Sequence, residues 1–184
     1  MAVNGKRVIL WVIGLAVIIA LFFFVKQVFF ASPSVPALMA DTIALAGTND
    51  TVKRSLLITS MDESVAQMKD DAIAAQWDTL TDCISQNLCT QDDYFDMLYI
   101  TALQKRDDVP NAELIARVVE ANRYWNDKEK LVEFSKALSD ANEGVEQLQL
   151  KTIRNKWQEI IYCDGKCAQY HQQFFEFVRL LLTV

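Results

Sequence analysis

Four cysteines, Cys83, Cys89, Cys163 and Cys167, are the residues of this chain best equipped for chemistry. Thiols in that number could hold a zinc ion, run thiol–disulfide exchange, or bond to one another. Structural zinc is usually gripped by knuckles spaced C-x2–4-C. Cys163 and Cys167 have that spacing, but Cys83 and Cys89, with five residues between them, do not. Exchange catalysis favours C-x-x-C at a helix N-terminus, where the thiol pKa falls, and neither pair has it. Structural disulfides are the expectation. Of the three connectivities open to four cysteines, local pairing, Cys83–Cys89 and Cys163–Cys167, is favoured because tight turns bring those partners near. The turn Cys163-Asp164-Gly165-Lys166-Cys167 contains a glycine able to take positive φ. The geometric requirement is a Cα separation of roughly 4.4–6.8 Å.

Other catalytic material is thin. His171 is the only histidine, and general acid–base work by a histidine needs an oriented nucleophile or carboxylate. No G-x-S-x-G motif is present, and the five glycines are not clustered into a phosphate loop. Acidic groups occur at Asp70-Asp71, at Asp92-Asp93 with Asp96, and at Asp107-Asp108. None follows the D-x-D-x-D-G calcium pattern, and the middle group suits the first turn of a helix. The chain therefore reads as non-enzymatic, with no cofactor and no metal.

The elements that position the cysteines repeat. Residues 63–83 lie over 143–163 without gaps, and Glu63, Val65, Gln67, Ile73, Trp77 and Cys83 meet Glu143, Val145, Gln147, Ile153, Trp157 and Cys163. Past the loop, at the same offset, Tyr94-Phe95-Asp96 faces Phe174-Phe175-Glu176. The preceding segments correspond more loosely, Leu38-Met39-Ala40 with Leu114-Ile115-Ala116. Trp and Cys are rare residue types, so their match at one offset points to duplication. Each unit then has four helices over about 75 residues, and repeats of this size bury a core continuous across copies. Trp77, Trp157, Phe95 and Phe175 become the equivalent core wedges.

Spacing predicts an all-α domain. Glycine is scarce, Pro110 is the only proline beyond residue 36, and alternating β-branched runs are missing. Apolar residues recur at helical spacing over 62–82, after the N-cap candidate Thr90, from Pro110-Asn111 onward, over 127–139, over 143–162 and over 167–182. Expected organisation is a cytoplasmic tip and anchor over 1–30, a linker over 31–36, and two tandem similar units, 37–108 and 109–184. Paired hairpins, a bundle or a short superhelix would each satisfy this.

The anchor expectation rests on residues 8–25, from Val8 and Trp11 to Phe24 and Val25, which carry no charge. Such a run rises about 27 Å as a helix, enough to span a bilayer. Its length exceeds the usual signal-peptide core of roughly 7–15 residues. Lys6 and Arg7 precede the span and Lys26 follows it, so the N-terminus is expected in the cytoplasm and the domain outside, by a margin of about one charge. All 24 acidic residues lie beyond position 31 with about 15 of the 18 basic ones. With no basic stripe there, nucleic acid is not an expected partner. The apolar end, Phe174 to Leu182, must be buried in the domain's own core or in a partner. The combined expectation is a single-pass, extracytoplasmic helical scaffold or accessory subunit that contacts other envelope proteins, with homo- or hetero-oligomeric assembly. The alternative is a ligand- or peptide-binding module using a groove between the two units.

Overall fold

A computed structural model describes residues 34–125, 129–162 and 170–184. The apolar run holding Val8, Trp11, Phe24 and Val25, and both Cys163 and Cys167, lie outside the described residues. Those described form eight helices and no strand, and no helix among them is long and apolar enough to cross a membrane.

In chain order the helices are α1 (Val35–Gly47), α2 (Thr51–Met68), α3 (Asp71–Gln86), α4 (Gln91–Gln104), α5 (Ala112–Arg123), α6 (Leu131–Gln147), α7 (Lys151–Ile161) and α8 (Tyr170–Leu181). Local chemistry explains their starts. The Ser34 hydroxyl accepts from the Ala37 amide, with Pro36 in the first turn, where its missing N–H costs nothing. Helix α1 thus claims the end of the expected 31–36 linker. The Asp50 carboxylate accepts from the amides of Val52 and Lys53, and Asp70 from those of Ala72 and Ile73. At α4 the Asp93 carboxylate accepts from both the Thr90 amide and its hydroxyl.

Two expected helices each prove to be parts of two. The run 62–82 breaks at Lys69, with φ 49°, and the run 143–162 breaks at Gln149, with φ 54°. Apolar spacing continues through both breaks, so periodicity alone does not reveal them. The segment expected at 127–139 continues as α6 to Gln147, with Gly144 inside the helix, its Cα against Leu114. A Cβ there would come within 2.8 Å of the Leu114 side-chain tip, so glycine permits the close approach of α5 and α6.

Packing follows one plan twice. Helix α1 packs on α2 and α4, and α3 on α2 and α4; likewise α5 packs on α6 and α8, and α7 on α6 and α8. Burial runs in parallel. Over 61–82 and 141–162, 80 positions apart, the pattern of buried and exposed residues differs only at Asp70 and Leu150. Trp77 and Trp157 are both buried, as are Phe95 and Phe175. These last two rings stack face to face with centroids 4.1 Å apart. Two seams join the halves, α4 on α5 and α8 on α1. One apolar core runs through both, and Pro33–Val184 is one compact unit. Phe174, Phe177, Val178 and Leu181 enter that core, so the apolar chain end is consumed internally.

Candidate functional site

The cysteine corner of the first half is a disulfide. Cys83, near the end of α3, bonds to Cys89, just before α4, with Cα atoms 5.0 Å apart. Asn87 supplies the turn: its left-handed backbone, φ 56°, lets its own amide and that of Leu88 satisfy the last carbonyls of α3. The Asp93 carboxylate lies close enough to both sulfurs for the three to resemble a ligand set. The sulfurs are spent on each other, however, and Asp93 is engaged at the start of α4. This corner is a staple.

Asp96 and Asp70, from the acidic groups flagged by the sequence, also have structural work. Asp96 on α4 forms an ion pair with Arg123, the last residue of α5, and the guanidinium lies over the Tyr99 ring, 5.5 Å from its centroid. Burial works against the charge on Arg123, but Asp96 and the neighbouring tyrosines outweigh it and raise the guanidinium pKa further. Asp70 caps α3 and pairs with Lys105 at 3.1 Å. Burial pushes the Asp70 carboxyl up, yet the Ile73 amide, Lys105 and the Ala72 amide together bring it below its ordinary value.

The two seams differ sharply. Where α5 meets α4, the end of α5 and the chain beyond it carry bulky groups: Glu120, Asn122, Arg123, Tyr124 and Trp125. The residues 76 positions earlier, at the end of α1, are Ala44, Ala46, Gly47, Thr48 and Asn49. Each is smaller than its counterpart. Leu45, in contrast, is larger than its counterpart Ala121. Arg123, which reaches Asp96 and Tyr99 across the α4–α5 seam, thus has only Gly47 as its counterpart at the α8–α1 seam, where an open groove of about 930 Å3 lies.

Charged residues line this groove from several elements. Helix α1 contributes Asp41, and Lys53 stands in the first turn of α2. Burial raises the Asp41 carboxyl pKa, while the Ser60 hydroxyl, 3.4 Å away, pulls it partly back. Helix α8 contributes His171, Phe175, Glu176 and Arg179. His171 sits at the inner end with Nδ1 3.2 Å from Oδ1 of the buried Asn122. Glu176 is half-exposed, with the Lys156 ammonium at 3.9 Å and the Gln172 amide at 3.4 Å. The groove therefore offers two carboxylates, two cations and an imidazole, with the buried Phe175 ring in its wall. That mixture can hold a polar segment or ligand with charges of both signs.

Of the residues weighed from sequence, His171 and Phe175 line the groove; Trp77, Trp157 and Phe95 are core. Asp41 and Arg179 were not singled out by sequence reading, and Glu176 entered it only as the residue matching Asp96. The one signal was the size difference at five of the six positions 44–49 and 120–125, Leu45 against Ala121 being the exception, and it has meaning only once both stretches are known to face corresponding seams. Compared with known proteins, the chain matches no family model, no curated protein and no solved structure.

Proposed function

We propose that this protein is a membrane-anchored, extracytoplasmic helical scaffold or accessory subunit of an envelope complex, acting by protein–protein interaction and without catalysis. The eight helices among the described residues are read as two copies of one four-helix unit, and the docking surface as the groove between α1 and α8. The single observation that carries this reading is that groove, which lies at the seam where Gly47 stands in the position of Arg123. The Cys83–Cys89 bond supports export, because such bonds persist in oxidising compartments. The uncharged run 8–25 behind Lys6 and Arg7 supports the anchor and its orientation.

A second reading is a module for a small ligand or free peptide. It is favoured by the groove volume of about 930 Å3, which lies within the range typical of small-molecule pockets, about 300–1,000 Å3. Site-specific photocrosslinking in native membranes separates the two. A crosslinker at Ala44, in the groove, is expected to give one stoichiometric protein adduct, and the same group at Lys136, on the exposed face of α6, is not. No adduct at Ala44, together with a melting temperature raised by a small molecule, would favour the second reading. Non-reducing peptide mapping with thiols blocked at lysis tests the compartment: a free Cys83 and Cys89 would argue for a cytoplasmic domain.

A further inference from the structure

The turns of this domain sort into two ends. Ser34, Met68, Lys105 and Asp108 line one cleft, and Arg106, Val109 and Leu148 line another. The Asn111 side-chain amide donates to the Leu181 carbonyl at 2.9 Å. The start of α1, the turns α2–α3, α4–α5 and α6–α7, and the end of α8 therefore share one end. The turns α1–α2 and α3–α4 share the other, where Asn49 and Asn87 line a third cleft. The groove between α1 and α8 runs along residues 40–49 and 171–179, so it lies toward this second end.

At the first end Leu150 is out of place. It holds the N-cap position of α7 and makes no side-chain bond there, whereas the corresponding Asp70 caps α3 and pairs with Lys105. Leucine is a poor N-cap because it offers the first-turn amides no acceptor. Its exposure is also the one departure from the matched burial of residues 61–82 and 141–162. An exposed apolar side chain that costs its own helix a cap points to surroundings other than water. Chain length says which surroundings. Val28, Phe29 and Phe30 carry the apolar stretch past Lys26, and Phe30 is four residues before Ser34. Four residues extend at most about 14 Å.

Resting on the anchor reading above, we infer that the first end of the domain sits on the lipid bilayer, with the Leu150 side chain inserted at the membrane interface. Helix α2 has 18 residues and so is about 27 Å long, which holds the second end, and the groove with it, toward extracytoplasmic partners. The exposed cations Lys69, Arg106 and Lys151 are matched at the first end by the exposed acids Asp71, Asp107 and Asp108. The contact therefore does not select anionic lipid; the short tether keeps this end beside the bilayer and the leucine supplies the apolar surface.

The test places a fluorescent amino acid at Leu150, or at the exposed Val52 of the second end, in the full chain reconstituted into vesicles of phosphatidylcholine brominated on its acyl chains. A blue shift and loss of emission are expected at 150 and neither at 52, unchanged when phosphatidylglycerol is mixed in. Leu150→Asp, read by a label at Lys151, should abolish the quenching yet raise the melting temperature in micelles, because it gives α7 the cap that Asp70 gives α3. A protein made more stable has not lost the contact by unfolding. No quenching at 150, equal quenching at 150 and 52, quenching only with phosphatidylglycerol, or quenching at Lys151 that survives Leu150→Asp would overturn the inference, while a chain that resists carbonate extraction keeps its anchor. A chain that carbonate releases from the vesicles would sink the anchor reading and the inference with it.

Discussion

The two buried tryptophans form a natural matched pair. In the first half, Trp77 on α3 donates its indole N–H to the Asp62 carboxylate on α2, at 2.6 Å. In the second, the indole nitrogen of Trp157 is buried with no hydrogen-bond partner among the described residues, and the residue corresponding to Asp62 is Asn142. A hydrogen bond to a charged group contributes about 1.5–3 kcal/mol, and losing the acceptor also leaves a buried donor orphaned. Asp62 is exposed, which puts its bond at the lower end of that range, and alanine returns about 0.5 kcal/mol of helix propensity. Asp62→Ala should therefore destabilise by about 1–2 kcal/mol, a melting shift of about 2–8 °C for a domain of this size. Asn142→Ala removes no such bond and should be neutral or stabilising by about 0.5 kcal/mol. Asn142→Asp offers Trp157 the missing acceptor and should stabilise by about 1 kcal/mol. Urea and thermal unfolding of the three variants, with a Trp77→Phe/Asp62→Ala cycle, would measure this. A coupling energy near zero in that cycle, or equal losses in Asp62→Ala and Asn142→Ala, would refute the reasoning.

Removing the staple with Cys83→Ala and Cys89→Ala closes no loop in the unfolded chain and should cost about 2 kcal/mol, read by denaturant midpoint. Trp157→Ala empties a fully buried site against Phe174 and Phe177 and should cost about 3–5 kcal/mol, read as a lowered midpoint in a circular-dichroism melt. Asp70 and Asp41 should give opposite pH signatures. The folded pKa of Asp70 is lowered, so its contribution is complete above the unfolded value of about 3.9 and is lost as pH falls through the folded value. Asp70→Asn, which keeps a capping side chain, should be less stable than the parent at pH 7 and equal to it in acid. The folded pKa of Asp41 is raised, so the native state holds the extra proton and stability falls as pH rises through that window. Asp41→Asn should then be more stable than the parent at pH 7, with the advantage vanishing in acid; the reverse order in a pH series of melts would contradict the burial at this site.

Much of the fold was legible because helix formation and burial are governed by residues three and four apart. Ile73, Trp77 and Leu80, and likewise Ile153, Trp157 and Ile160, are spaced to bury one face, and they do. The Cys83–Cys89 bond was legible because a short turn leaves little choice of partner. The breaks at Lys69 and Gln149 were not, since a single left-handed residue redirects the chain without disturbing the apolar spacing on either side. Sequence offsets relate Glu176 to Asp96 and Gly47 to Arg123, yet they do not say that the two pairs face one another. That is decided by α8 folding back against α1, a contact between helices some 130 residues apart in the chain. Local periodicity determined the helices and their buried faces; the groove exists only because tertiary packing brings the small end of α1 against the charged face of α8, and no local pattern encodes a space left between distant segments.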